Sequence, residues 1–271
     1  MEGEPPYFFD RGENEFPGLT VTRDCDTAVL EVTVHGRWSR RMGLDVYNLL
    51  RRCLAEHPPA IVVDLSGLND PDAASANMWL AAARAAASLR PPAQLVAGIP
   101  PARQLAGRLR SLGAVHQLPL FATAWQARAA VATRLPQTER LHLSPLPPER
   151  SSVAAAGDLV VAACDAWGLP AIAAPGRMVM AELAANAVDH ARTDLAVTVL
   201  RRGAGLYLSV RDGDPRLPRL VQPDEPVRRR PAGRDRGLWT VHRRASAWGA
   251  RPARGGKVVW AVMRPHRSAP R

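Results

Sequence analysis

The sequence predicts a mixed α/β chain of two domains, an N-terminal domain in βαβα order and a C-terminal α/β sandwich of the α+β class. Three observations predict it. The length, 271 residues, suits two domains of ordinary size. From Leu19 to Arg134 short β-branched runs alternate with segments of helical period, the order of a sheet covered by helices. A stretch from Pro136 to Arg150, with prolines at 136, 145, 147 and 148 and little apolar periodicity, then precedes a half of different pattern, helices first and a hairpin after. The organisation reads as an irregular tail over 1–17, a first domain over 18–136, a second over 137–266 and a tail over 267–271.

Composition narrows the function classes. Hydrophobic residues make up 46%, enough to build real cores, so wholesale disorder is excluded. The longest apolar run, Val153 to Cys164, is broken by Asp158, and no membrane contact is expected. Glu2, Glu4, Asp10, Glu13 and Glu15 give the N-terminus the wrong sign for a signal peptide, so a cytoplasmic location is expected. The three cysteines, Cys25, Cys53 and Cys164, lack metal spacing and read as small apolar residues or idle thiols. The net charge of +11 invites a nucleic-acid reading. The basic residues are almost all arginine, with Lys257 the only lysine, and alanine is abundant, the pattern of GC-rich codon usage. They are spread along the chain without aromatic-rich strands, so no direct nucleic-acid contact is expected.

In the first half, Leu19 to Arg23 and Ala28 to His35 read as strands. Residues 43–56 carry Val46, Leu49, Leu50, Cys53 and Leu54 at helical spacing, and Pro58-Pro59 ends that helix. Ala60 to Leu65 reads as a buried strand, and Asp72 as the cap of a helix through Met78 and Trp79 to Leu89. A strand over Gln94 to Ile99, a helix over Pro101 to Leu112, a short strand over Gln117 to Leu120 and a helix over Ala122 to Arg134 complete the domain.

In the second half, Leu141-His142-Leu143 suggests a first strand, followed by a helix over Arg150 to Trp167 and a connection through Pro170 and Pro175. The next helix holds Glu182-Leu183-Ala184-Ala185-Asn186-Ala187-Val188-Asp189-His190. Residues four apart share a helix face, so Glu182, Asn186 and His190 form one polar stripe opposite Met180, Leu183, Ala187 and Val188. Alone, the stripe is also what a solvated helix face shows. A hairpin follows, Asp194 to Arg201 and Leu206 to Asp212 around Arg202-Gly203-Ala204-Gly205. From Gly213 to Arg236 there is no periodicity but five prolines and the run Arg228-Arg229-Arg230, a loop of the length that is usually functional. Gly237 opens a last helix, and a Gly255-Gly256 turn leads to a strand over Lys257 to Met263.

These parts suit a nucleotide. A carboxylate at a strand end, Asp212, can accept an amino proton of a base. Asn186 can give a neutral oxygen to magnesium. The free amides at Gly237 and the dipole of its helix favour an anion. Glu182 can polarise a hydroxyl or water beside a terminal phosphate. Arg228, Arg229, Arg230 and Arg236 add positive charge to the loop.

Two resemblances follow from these residues. Val63-Asp64-Leu65-Ser66-Gly67-Leu68 with Asp72-Ala73-Ala74-Ser75-Ala76 resembles the STAS domain of anti-sigma-factor antagonists, over residues 18–135. The positions that carry the family's small, phosphorylatable residues are Ala73 and Ala74 here, so the acceptor hydroxyl is lost. Glu182, Asn186 and His190 resemble the N-box of the GHKL ATPase fold, and within it of the anti-sigma-factor serine kinases. Asp212 corresponds to the adenine-contacting aspartate, Arg236-Gly237-Leu238 to the end of the ATP lid, and Trp248-Gly249 with Gly256-Lys257 and Trp260 to the closing hairpin. That resemblance covers residues 140–264. It implies ATP and magnesium as cofactors, Glu182 as catalytic base, Asn186 as metal ligand, and Asn186, His190, Asp212, Asp214, Arg236, Gly237 and Leu238 at the nucleotide. It also implies a STAS-domain antagonist protein or a sigma factor as partner, and a homodimer. The chain departs from the family pattern at Asp214, Arg216 and Asp235, where glycines are usual, and at Val258 and Val259, where a threonine is usual. The implied function is a serine/threonine protein kinase of the partner-switching type. The departures fit equally a catalytically weak interaction protein that holds a sigma factor or an antagonist.

Overall fold

The computed structural model describes residues 7–8, 16–23, 28–133, 139–218, 237–253 and 255–265. The chain divides into two compact units, one formed by Glu13–Thr138 and the other by Glu139–Arg271 together with Met1–Gly12. The first strand, β1 (Tyr7–Phe8), belongs to the second of these.

The unit over residues 13–138 contains β2 (Leu19–Arg23), β3 (Leu30–Val34), β4 (Gly36–Arg37), α1 (Arg40–Ala55), β5 (Ala60–Asp64), β6 (Leu68–Asn69), α2 (Ala76–Ser88), β7 (Gln94–Gly98), α3 (Gln104–Ser111), β8 (Leu120–Phe121) and α4 (Ala124–Ala132). Its main sheet runs β2-β3-β5-β7-β8, antiparallel at the β2-β3 hairpin and parallel from there on, with a small β4-β6 ladder beside it. The parallel strand β5 is a continuous apolar run, Ala60 to Val63, with no exposed residue, as a strand covered on both faces must be. Helix α1 starts where the Ser39 hydroxyl accepts the Met42 amide, and it buries Val46, Leu49, Leu50 and Cys53. Gly98 ends β7 where a Cβ would stand 2.3 Å from the Ala124 amide nitrogen, which lets α4 begin directly against the strand.

The structure corrects the capping of α2. Asp72 is exposed, and the helix begins at Ala76. The organising carboxylate is Asp70, only 8% exposed. Its Oδ1 accepts the Ala74 amide at 2.9 Å, and its Oδ2 accepts the Ser75 amide at 2.9 Å and the Ser75 hydroxyl at 2.6 Å. The Ser75 oxygen in turn accepts the indole N–H of the fully buried Trp79 at 3.0 Å. Both oxygens of this buried side chain thus have hydrogen-bond partners. The helix expected over 101–112 starts at Gln104, and of the strand expected over 117–120 only Leu120 is in a strand, β8, which is preceded by a turn and a single turn of 3-10 helix (Ala114–His116).

The second unit contains β1, β9 (Arg140–Leu146), α5 (Arg150–Trp167), α6 (Pro170–Asn186), a π-helical turn (Ala187–Ala191), β10 (Leu195–Arg202), β11 (Gly205–Asp212), α7 (Gly237–Arg244), β12 (Ala247–Ala253) and β13 (Gly256–Met263). Its six-stranded sheet runs β1-β12-β13-β11-β10-β9, antiparallel throughout except for β1 on β12. The stretch read as an irregular tail thus supplies an edge strand, too short at two residues to show a period in the sequence. Alternate residues of the strands, among them Val197, Val199, Leu206, Leu208 and Ala261, meet Val160, Val179, Met180, Leu183 and Val241 of the helices in one core. All three helices therefore lie over the same face of the sheet.

Two further expectations change. Pro170 and Pro175 do not form a connection, because α6 runs through both. Pro170 stands at the first helical position, where its missing N–H has no partner to lose, and Pro175 removes one bond near the start of the helix. At the other end the α-helix stops at Asn186, and the amide of Arg192 reaches back to the Ala187 carbonyl at 3.2 Å. Arg192 closes the turn in the left-handed region at φ 55°. Among the described residues no helix is long and apolar enough to cross a membrane.

Candidate functional site

Helix α6 packs against β11, β13 and α7, so its polar face meets the start of α7. There Glu182 is half-buried, and desolvation raises its carboxyl above the ordinary range. Its Oε2 lies 2.7 Å from where a Cβ of Gly237 would stand, so the candidate base rests against the first residue of α7. One turn on, Asn186 buries its side-chain Nδ2, which has no hydrogen-bond partner among the described residues. A buried amide left unpaired costs free energy.

The third member of the stripe does not follow. A π turn closes each hydrogen-bonded ring with one more residue than an α turn, which takes His190 off the line of Glu182 and Asn186. His190 is exposed. The four-residue spacing misleads here because it assumes a helix that stays α to its end.

Asp212 ends β11 and is 4% exposed. Burial raises its carboxyl, and Lys257 works against that shift, as does the Asp214 amide. Oδ1 accepts from Lys257 Nζ at 2.9 Å and from the Asp214 amide at 2.9 Å. The Lys257 ammonium also donates to the Asp214 carbonyl at 3.1 Å and stands 3.7 Å from Asp214 Oδ2. Desolvation alone would raise Asp214, but the Arg216 guanidinium and amide, with Lys257, hold it below the ordinary range. Asp214 is thus neutralised by this chain's own cations, with Arg216 Nε 3.1 Å from Oδ1. The amide of Gly213 donates to the Thr193 hydroxyl at 2.8 Å, which ties the end of β11 to the segment after the π turn.

The structure therefore brings Glu182 to Gly237, and Asp212 to Asp214 and Lys257. No hydrogen bond or ion pair joins the two clusters among the described residues. Leu238 is 8% exposed and packs in the core, where it anchors α7. Arg236 and the run Arg228, Arg229, Arg230 lie outside the described residues. Lys257 as partner of Asp212, and Thr193 as the clamp on Gly213, escape sequence reasoning. The uniqueness of the lysine was the available signal for Lys257. Among the described residues no group of three or more histidine, cysteine or acidic side chains could hold a metal ion.

No family model matches the chain, and no curated protein matches it. Among solved structures it is similar to the crystal structure of an anti-sigma factor antagonist from Mycobacterium paratuberculosis, at 22% identity and a TM-score of 0.34, over 42% of this chain and 94% of that one.

Proposed function

We propose that the second unit binds magnesium–ATP, and that the protein is a partner-switching regulator that transfers the terminal phosphoryl group to a serine of a separate STAS-domain antagonist. The observation that carries this reading is the pairing on α6 of a half-buried carboxylate against Gly237 with a buried amide, one turn later, that has no partner among the described residues. The residues fit the group. Asn186 offers an oxygen to magnesium and amide protons to a phosphate oxygen, which satisfies the orphaned Nδ2. The first amides of α7 face an anion. Asp212 accepts a base amino proton. ATP supplies the phosphoryl group, and magnesium its charge neutralisation. Glu182 takes the proton of the attacking serine hydroxyl, and the desolvation that raises its carboxyl makes it a better acceptor near neutral pH.

The test is transfer from labelled ATP to a STAS-domain substrate. Glu182→Ala is expected to abolish transfer while ATP still binds. Unchanged transfer removes Glu182 from the mechanism.

One observation favours a second reading. Oδ1 of Asp212 is already saturated by Lys257 and the Asp214 amide, which fits a chain that holds a sigma factor or an antagonist without turnover. Absence of ATP binding at millimolar nucleotide decides for it.

A further inference from the structure

Helix α1 has two unlike faces. Val46, Leu49, Leu50 and Cys53 are buried and belong to the core. On the opposite side Arg40, Leu44, Tyr47 and Arg51 follow one another at three- or four-residue steps, so they line one stripe along the helix. All four are exposed, and so is Arg41 beside them. Leu44 is 60% exposed and Tyr47 54%. A single exposed apolar side chain is ordinary. Two large ones on adjoining turns of one face, with arginines at both ends, make a patch. The Arg51 guanidinium lies over the Tyr47 ring, 6.0 Å from its centroid, at the reach of a cation–π contact. Tyrosine and arginine are also the residue types that most often anchor protein interfaces.

The charge of the face indicates what covers it. Helix α1 carries Arg40, Arg41, Arg51 and Arg52 against a single acid, Asp45. Its first turn holds two arginines and no acid, the wrong sign for the helix dipole, so Arg40 and Arg41 do not serve the stability of α1. A second copy laid on the same face would set arginine against arginine, which disfavours self-association there. An anionic membrane takes up a continuous apolar helix face, and the remaining apolar residues of α1 are committed to the core. The stripe from Arg40 to Arg51 is about 16 Å long, roughly three turns, the length over which one helix can lie along another. We propose that the outer face of α1 docks an acidic amphipathic helix of a partner protein. Leu44 and Tyr47 meet its apolar seam, and Arg40, Arg41 and Arg51 meet carboxylates beside that seam. The proposal stands apart from the nucleotide reading, because every residue in it belongs to the first unit.

The probe is a labelled helical peptide of about 18 residues, with leucines at every third or fourth position and glutamates beside them, and a twin with lysine in place of each glutamate. By fluorescence anisotropy the full chain is expected to bind the acidic peptide saturably, more weakly as salt is added, and at least ~10-fold more tightly than the lysine twin. Leu44→Ala combined with Tyr47→Ala is expected to weaken that binding at least ~10-fold. Trp125→Ala, which removes a side chain 72% exposed on α4, is expected to leave it unchanged. Arg40→Glu combined with Arg51→Glu is expected to abolish the preference for the acidic peptide. All five positions are exposed, so thermal melts of the variants are expected to match the wild type. The proposal is overturned if the acidic peptide does not bind, if the loss of Leu44 and Tyr47 leaves its affinity unchanged, if Trp125→Ala weakens it equally, or if the charge-reversed chain keeps the preference. Co-sedimentation with vesicles of phosphatidylcholine and phosphatidylglycerol adds one outcome. Vesicle binding that needs Leu44 and Tyr47, without peptide binding, assigns the face to an anionic lipid surface and overturns the proposal.

Discussion

Oε2 of Glu182 occupies the space that a side chain at Gly237 would need, 2.7 Å from the position of its Cβ. The glycine that opens α7 is therefore the wall against which the candidate base rests. Gly237→Ala displaces the tip of a flexible side chain rather than backbone, so the cost in stability is small, about 1 kcal/mol or less. Its effect on phosphoryl transfer is expected to be larger, at least ~10-fold, because a displaced carboxylate misses the attacking hydroxyl. Thermal melts beside transfer assays separate the two. A variant with wild-type transfer shows that the contact does not position the base.

Burial raises the Glu182 carboxyl above its ordinary value of 4.5. An acid raised in the folded state binds more protons folded than unfolded, so its contribution to stability is fully present below the unfolded value and is lost as pH rises through the folded one. Above its folded value the half-desolvated carboxylate is therefore a burden. Glu182→Gln is expected to raise the melting temperature at pH 7 relative to wild type, and the gain is expected to shrink as the pH falls toward the unfolded value. Melts of both proteins across that range check the sign. A gain that grows on acidification contradicts the buried-acid account.

Asp70 and Asp72 are two residues apart and are predicted to differ sharply. Asp70 accepts three hydrogen bonds at the start of α2, and Asp72 is exposed. Asp70→Ala should cost about 3 kcal/mol, the loss of charge-assisted bonds to a buried group. Asp72→Ala should stay within about 0.5 kcal/mol. Urea unfolding of each variant measures the difference. The same network makes Ser75 a poor phosphate acceptor, since its hydroxyl is buried and already engaged.

That pair shows what the sequence can and cannot reveal. Helix α5 is legible to the residue, because an alanine-rich run between Glu149 and Gly168 carries both its period and its stop. The β10-β11 hairpin is legible from the two residues Gly203 and Ala204 between β-branched strands. The cap of α2 is not, because Pro71 and the left-handed Ala73 (φ 51°) place Asp70 five residues before Ser75 rather than at the usual capping offset. The stripe on α6 is half legible. Its α part, Glu182 and Asn186, needs only local spacing, whereas the π turn that removes His190 has no local signature. Lys257 on Asp212 depends on the register of β11 with β13, 45 residues apart in sequence, which no local pattern encodes.

The Asp212–Lys257 pair should behave as a coupled unit. Removing Lys257 alone leaves a buried carboxylate uncompensated, and Lys257→Met is expected to cost about 3 kcal/mol. Adding Asp212→Asn to that variant removes the stranded charge and should recover part of the loss. A double-mutant cycle by urea unfolding reads the coupling. Additive losses contradict the pairing.

Magnesium–ATP is proposed to sit in the second unit between α6 and the start of α7. The most direct measurement is a calorimetric titration of the full chain and of Asn186→Ala with ATP, each with and without magnesium. The account predicts saturable binding below millimolar ATP, strengthened by magnesium in the wild type and not in Asn186→Ala. No binding at millimolar ATP, or a magnesium effect that survives the loss of Asn186, contradicts it.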